Sequence, residues 1–169
     1  MIQRMTLLVC TLATLCIMHS RNALWAQDST KQQKENVQEA AIKKLIDSKR
    51  YAFVAQSAKP SRGPTKQLTS YYEMQLKTDT LQAYLPYFGR SYSATLGTDA
   101  GGIDFTTVDF TYLVSPTKKG GWDITLTPKN VANVSKMTLS LTESGYGNLV
   151  VTSNTRDLIS YYGSIQAVK

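Results

Sequence analysis

Histidine and cysteine, the side chains that most often serve as catalytic bases, nucleophiles and soft metal ligands, are confined to one end of this sequence. The only histidine, His19, and both cysteines, Cys10 and Cys16, fall within the first 26 residues. From Gln27 to Lys169 the chain offers neither imidazole nor thiol, which excludes Ser-His-Asp and Cys-His nucleophilic devices there. Zinc, haem and blue-copper sites built on those ligands go with them. Carboxylate, lysine and tyrosine chemistry remain. Asp99, Asp104 and Asp109 recur at intervals of five, whereas a calcium loop sets oxygen ligands at alternate positions around a tight glycine turn. Nothing in the sequence pairs Asp104, Glu143 or Asp157 across a cleft, as glycoside hydrolysis requires. We therefore assign no catalytic residue, no metal and no cofactor, and expect a protein that binds rather than an enzyme.

The densest group of recognition chemistry is Leu85-Pro86-Tyr87-Phe88-Gly89-Arg90-Ser91-Tyr92. Just past a strand-ending proline it presents three aromatic faces and one guanidinium. Tyr87, Phe88, Arg90 and Tyr92 are the candidate ligand-binding residues: the rings stack on an apolar or planar group, and Arg90 pairs with an anionic one. The competing reading is a packing corner, with Phe88 in the core, Gly89 supplying an unusual φ and Arg90 capping carbonyls. The pairs Tyr71-Tyr72 and Tyr161-Tyr162 each set one ring inward and one outward on a strand, with Tyr71 and Tyr161 placed to line a cavity if one exists.

Charge narrows the partners. The whole chain carries +7; Arg4 and Arg21 lie in the first 26 residues, and the remainder keeps 17 basic against 12 acidic side chains. Six of those bases fall in residues 31–50. They are scattered along an amphipathic segment instead of interleaving with aromatics on one face, so the reading is a solvated face and not a nucleic-acid site. The expected partner is a small apolar or anionic ligand; the alternative is an envelope protein met through the basic N-terminal segment or an outer sheet face.

The elements that position these residues follow from periodicity. Arg4 precedes the uncharged run Met5 to Met18, the order of an export signal. That run is shorter than the roughly 20 apolar residues a membrane span needs. Small residues near its end place the expected cleavage between Ala26 and Gln27, giving a periplasmic or secreted protein with no transmembrane anchor after cleavage. Bulky Val9 and Leu15 before the two cysteines argue against a lipoprotein signal. Residues 27–35 read as a flexible leader. Val37, Ala41, Ile42, Leu45 and Ile46 then fall at helical spacing, with Glu39 and Lys43 at i, i+4.

After Arg50 the period is two. Tyr51, Phe53 and Ala55 alternate, then Tyr72, Met74 and Leu76, and Asp79-Thr80 forms a tight turn into Leu81, Ala83 and Leu85. Ile103 and Phe105 follow, then Val108, Phe110, Tyr112 and Val114, and the change of parity between Phe105 and Val108 implies a bulge or bend. Lys118-Lys119-Gly120-Gly121 turns the chain into Trp122, Ile124 and Leu126. Met137 to Leu141, Leu149 to Val151 and Ile159 to Val168 complete eight or nine strands. The expectation for residues 36–169 is one mainly β domain: an N-terminal helix, then an antiparallel meander closed into a barrel or folded as a sandwich, with the helix plugging or flanking one opening.

The segment Leu85 to Tyr92 resembles the hallmark of a family of exported Bacteroidetes proteins, domain of unknown function 4251. Tyr51-Ala-Phe53, Gly101-Gly102-Ile103-Asp-Phe105, Lys119-Gly-Gly-Trp122 and Ile159-Ser-Tyr161-Tyr-Gly163 agree with it, across nearly the whole chain after residue 26. The resemblance implies a small calycin-like, lipocalin-topology barrel in a Gram-negative envelope. It implies no activity and no catalytic residues.

Overall fold

The structure, a computed structural model, describes residues 32–92, 101–118 and 120–168; Ala26 and Gln27 lie outside the described residues. The chain divides into two compact units, Met1–Gln38 and Glu39–Lys169. In the first, residues 32–38 are helical and exposed. Residues 32–35, expected as leader, thus belong to a helix, in keeping with the helix propensity of Gln, Lys and Glu.

That helix, α1, covers 32–48. Within the second unit its inward residues are Ile42, Leu45 and Ile46, and Ile46 is only 2% exposed. Lys43 pairs with Asp47 at 2.6 Å, one turn further along than the expected Glu39 pairing. Lys49 adopts φ +52° and donates its N–H to the Ile46 carbonyl at 3.1 Å, a left-handed stop that feeds directly into the first strand.

Among the described residues ten strands follow: β1 Arg50–Pro60, β2 Lys66–Gln67, β3 Glu73–Lys77, β4 Thr80–Pro86, β5 Gly102–Thr107, β6 Phe110–Pro116, β7 Trp122–Pro128, β8 Lys136–Leu141, β9 Tyr146–Thr152 and β10 Ile159–Ala167. All pairs are antiparallel, in the order β5-β4-β3-β1-β10-β9-β8-β7-β6, with two-residue β2 beside β1. Because direction alternates at every step, β5 and β6, at the two ends of the order, run in the same sense. Only Val108 and Asp109 separate them, so Thr107 and Phe110 stand within about 11 Å. They are the two halves of one bent strand, the first half pairing with β4 and the second with β7. This is the bend that the change of parity implied; Val108 sits at it, 73% exposed. Lys129 holds the corner, its N–H on the Asp109 carbonyl at 2.8 Å and its ammonium on the Asp109 carboxylate at 3.1 Å.

The expected barrel is therefore a curled half-barrel whose edges are tied at one point and part on either side of it. Tyr51, Phe53 and Ala55 point inward until a bulge at Gln56 shifts the parity of β1, after which Ala58 and Pro60 do so. Phe53, Met74, Leu76, Leu126, Met137 and Leu139 are fully buried in one continuous core. Side chains fill the interior, as eight-stranded barrels allow. Isoleucines of α1 join this core at the end bounded by the β8–β9 turn, where a Cβ on Gly145 would press on Ile42. The β6–β7 hairpin closes as expected through left-handed Gly120 and Gly121 (φ +86° and +89°), with Thr117 N–H on the Gly121 carbonyl at 3.1 Å.

Candidate functional site

Pro86 ends β4, and the chain then makes the corner that carries the sequence candidates. The Tyr87 hydroxyl lies 2.8 Å from the Asp157 carbonyl and 2.9 Å from the Arg90 carbonyl. The Arg90 carbonyl also accepts the Asp157 N–H at 2.9 Å, and Tyr92 N–H reaches the Thr155 carbonyl at 2.8 Å. The Tyr92 hydroxyl donates to the Asp157 carboxylate. Tyr87, Arg90 and Tyr92 thus staple the end of β4 to the β9–β10 loop, Arg90 through its backbone, while its side chain is exposed. A Cβ on Gly89 would fall on the Tyr87 ring, so the corner needs glycine there. Phe88 turns away, 38% exposed, with the Lys66 ammonium 4.7 Å from its ring centroid. Burial raises the Tyr87 phenol above its ordinary pKa, and the Asp157 charge adds to this, while Arg156 opposes it.

Beside the corner a cleft of about 550 Å³ opens along β5. Its walls are Tyr72, Tyr84, the run Gly101 to Phe105, the β7–β8 loop at Ala132, Asn133 and Val134, and Arg156. The cleft is the seam of the half-barrel. The two-residue turn Thr78-Asp79 makes Lys77 and Thr80 a hydrogen-bonded pair, so alternate pairing puts the N–H and C=O of Gly102, Asp104 and Thr106 on the free edge of β5. Pro86, lacking an N–H, faces Gly102 at a position that needs none. The freed Gly102 carbonyl accepts Arg156 Nη1 at 3.0 Å.

Arg156 is fixed from three sides. Its backbone N–H donates to Ser153 Oγ at 3.2 Å, its guanidinium holds Gly102, and its plane lies 5.1 Å from the Tyr87 ring centroid. Among the described residues no carboxylate pairs with it; the ion pairs present are Lys43–Asp47 and Lys129–Asp109. Asn133, in left-handed conformation at φ +66°, accepts the Thr155 hydroxyl at 2.7 Å and so ties the opposite lip to the same loop. Tyr72 and Tyr84 form an aromatic shelf, centroids 5.5 Å apart and rings at 30°. Asp104 stands opposite Tyr84 on the outer face. The result is a planar apolar shelf, an immobilised guanidinium with no carboxylate partner among the described residues, and one carboxylate.

Phe88, Arg90 and Tyr92 do not line this cleft, and Tyr87 reaches it only through Arg156. Tyr161 lines neither this cleft nor the groove beside Tyr71: it is buried, its hydroxyl on the Pro86 carbonyl at 2.6 Å. Tyr71 borders a second groove of about 430 Å³ on the outer faces of β1, β3 and β10. Sequence reasoning missed Arg156 because it is a lone base in a loop whose partner is 54 residues away. Tyr84 did leave a signal, an aromatic on the wet face of a strand whose inner face is Leu81, Ala83 and Leu85.

Residues 33–165 match the family described as Domain of unknown function (DUF4251). The fold is similar to that in the crystal structure of a DUF4251 family protein from Bacteroides eggerthii, with a TM-score of 0.57 and 12% identity over 78% of this chain and 88% of that one. No curated protein matches.

Proposed function

The chain belongs to the DUF4251 family, and on that footing we propose that it is an exported, non-catalytic binding module whose ligand site is the seam cleft along β5. The ligand is a small molecule of mixed apolar and anionic character. A flat apolar group lies on the Tyr72–Tyr84 shelf and an anionic group meets Arg156. Asp104 favours a ligand that also donates a hydrogen bond. Binding is at the rim and not inside the barrel, whose interior is occupied by side chains.

The observation that carries this reading is Arg156: a guanidinium immobilised at the wall of a cleft, with no carboxylate partner among the described residues. Holding an unneutralised cation in place is worth its cost where an anion is to be met. The Tyr87 to Tyr92 corner then acts by positioning: Tyr87 supports the guanidinium, and Tyr92 fixes the loop through Asp157. Native mass spectrometry of protein recovered from its own envelope tests the proposal. Wild type is expected to carry an additional small-molecule mass that Arg156→Ala lacks, with the fold unchanged by circular dichroism. A ligand retained equally by the variant removes the seam cleft as its site.

A further inference from the structure

The groove beside Tyr71 is a second place where polar side chains are held in position outside the core. Ala52 forms its floor. In the register of the sheet Ala52 stands directly between Gln75 of β3 and Gln166 of β10, so a methyl group separates two long carboxamides and a trough runs along β1. Glu73, Gln75 and Lys77 form one wall, and Gln166 and Val168 the other. Its volume of about 430 Å³ falls in the range of small-ligand sites. No residue lines both this groove and the seam cleft.

Hydrogen bonds bridge the trough. Gln166 Nε2 donates to the Tyr71 hydroxyl at 2.9 Å, and that hydroxyl donates to Glu73 Oε2 at 3.0 Å. Gln75 Nε2 donates to the other oxygen of the same carboxylate. The relay crosses β1 from β10 to β3 and fixes Glu73 from two sides. Among the described residues no cation pairs with Glu73, since the ion pairs there are Lys43–Asp47 and Lys129–Asp109. Lys77 stands four residues on, roughly 13 Å further along the strand, and it too has no ion-pair partner among the described residues. Tyr71 is 58% exposed, which leaves its ring open to contact.

We infer that this groove binds a neutral saccharide. The side chains disfavour the other ligand classes in turn. A cationic ligand meets Lys77 and a chain whose formal charge is +7. An anionic one meets the fixed Glu73 carboxylate. A wholly apolar one strips water from a carboxylate, an ammonium and two amides and returns no hydrogen bond. A neutral ligand with donors and acceptors at short intervals answers all of these groups. Its hydroxyls donate to the remaining lone pairs of Glu73 and to Gln166 Oε1, and accept from Lys77. The C–H face of a sugar ring lies on Ala52 and against the Tyr71 ring.

Amide chemical-shift mapping with cellotriose, maltotriose, mannotriose and triacetylchitotriose tests the inference, with spermidine and trigalacturonate as charged controls. At least one neutral trisaccharide is expected to give saturable shifts at Ala52, Glu73, Gln75 and Gln166, and neither charged control is. Ala52→Leu fills the trough from its floor and is expected to abolish that binding. Should the leucine perturb the sheet, Glu73→Gln keeps the shape, removes the charged acceptor, and is expected to weaken binding about tenfold or more, the loss of one hydrogen bond to a charged group. No saturable shift from any of the four trisaccharides, shifts centred elsewhere, saturable binding of spermidine or trigalacturonate in the groove, or an affinity that both variants retain each overturns the inference.

Discussion

The two ends of the half-barrel are closed by different physics. At one end α1 supplies Ile42 and Ile46 to the core, and closure there is burial of apolar surface. The polar tips at that end are poorly served. The Tyr112 hydroxyl reaches the Ile46 carbonyl only at 3.3 Å, and the buried Tyr51 hydroxyl makes no well-formed hydrogen bond among the described residues, its polar neighbour being Tyr112. At the other end loops distant in sequence are joined by hydrogen bonds through Ser153, Thr155, Arg156 and Asp157, and a cleft remains between them. A helix packed by burial leaves no room for a ligand; loops pinned by directed bonds hold their walls apart. Apolar burial by the helix marks the first end, and directed polar contacts between loops mark the second.

The largest effect that tests this contrast is expected from Ile46→Ala. Truncating a nearly fully buried side chain costs about 2–5 kcal/mol, read as a lower urea midpoint, whereas Arg156→Ala is expected to change it little. A next contrast sets two buried tyrosines against each other. Tyr161→Phe strands the Pro86 carbonyl and is expected to cost about 1–3 kcal/mol. Tyr51→Phe removes a hydroxyl with no well-formed hydrogen bond among the described residues, and its urea midpoint is expected to fall less than that of Tyr161→Phe.

Alkali gives a third comparison. Burial is the leading cause that holds both phenols above the ordinary value of 10.0. The unfolded chain therefore loses these protons first, so the stability they confer is full below pH 10 and falls as pH rises past it. In a phenolate absorbance titration two of the ten tyrosines are expected to ionise only with unfolding. The Tyr51→Phe, Tyr161→Phe double variant is expected to lose that late step.

Alternation along the sequence was enough to place nearly every strand, because each has one wet face and one buried face. The parity change between Phe105 and Val108 revealed the bend, yet not that the bend separates the two edges of the sheet. That depends on which strands pair, a non-local matter. The first tight turn lies at Thr78-Asp79, one residue before the expected Asp79-Thr80, because Thr78 takes φ +54° and donates its N–H to the Lys49 carbonyl at 2.8 Å. Val37 matched the helical stripe but is 67% exposed. The Tyr87 to Tyr92 cluster was visible as a local string, and its bonds to the β9–β10 loop were not. Arg156 and Asn133 come to the walls of one cleft through folding alone, and no local pattern marks either.

Amide chemical-shift mapping during titration with a panel of aromatic carboxylates tests the proposed ligand site in the seam along β5. Saturable shifts are expected at Tyr84, Gly102 to Phe105, Asn133, Val134 and Arg156 alone, and none in Arg156→Ala. Saturable shifts centred instead on interior residues such as Leu139 and Leu149, or no saturable shift from any member of the panel, would contradict it.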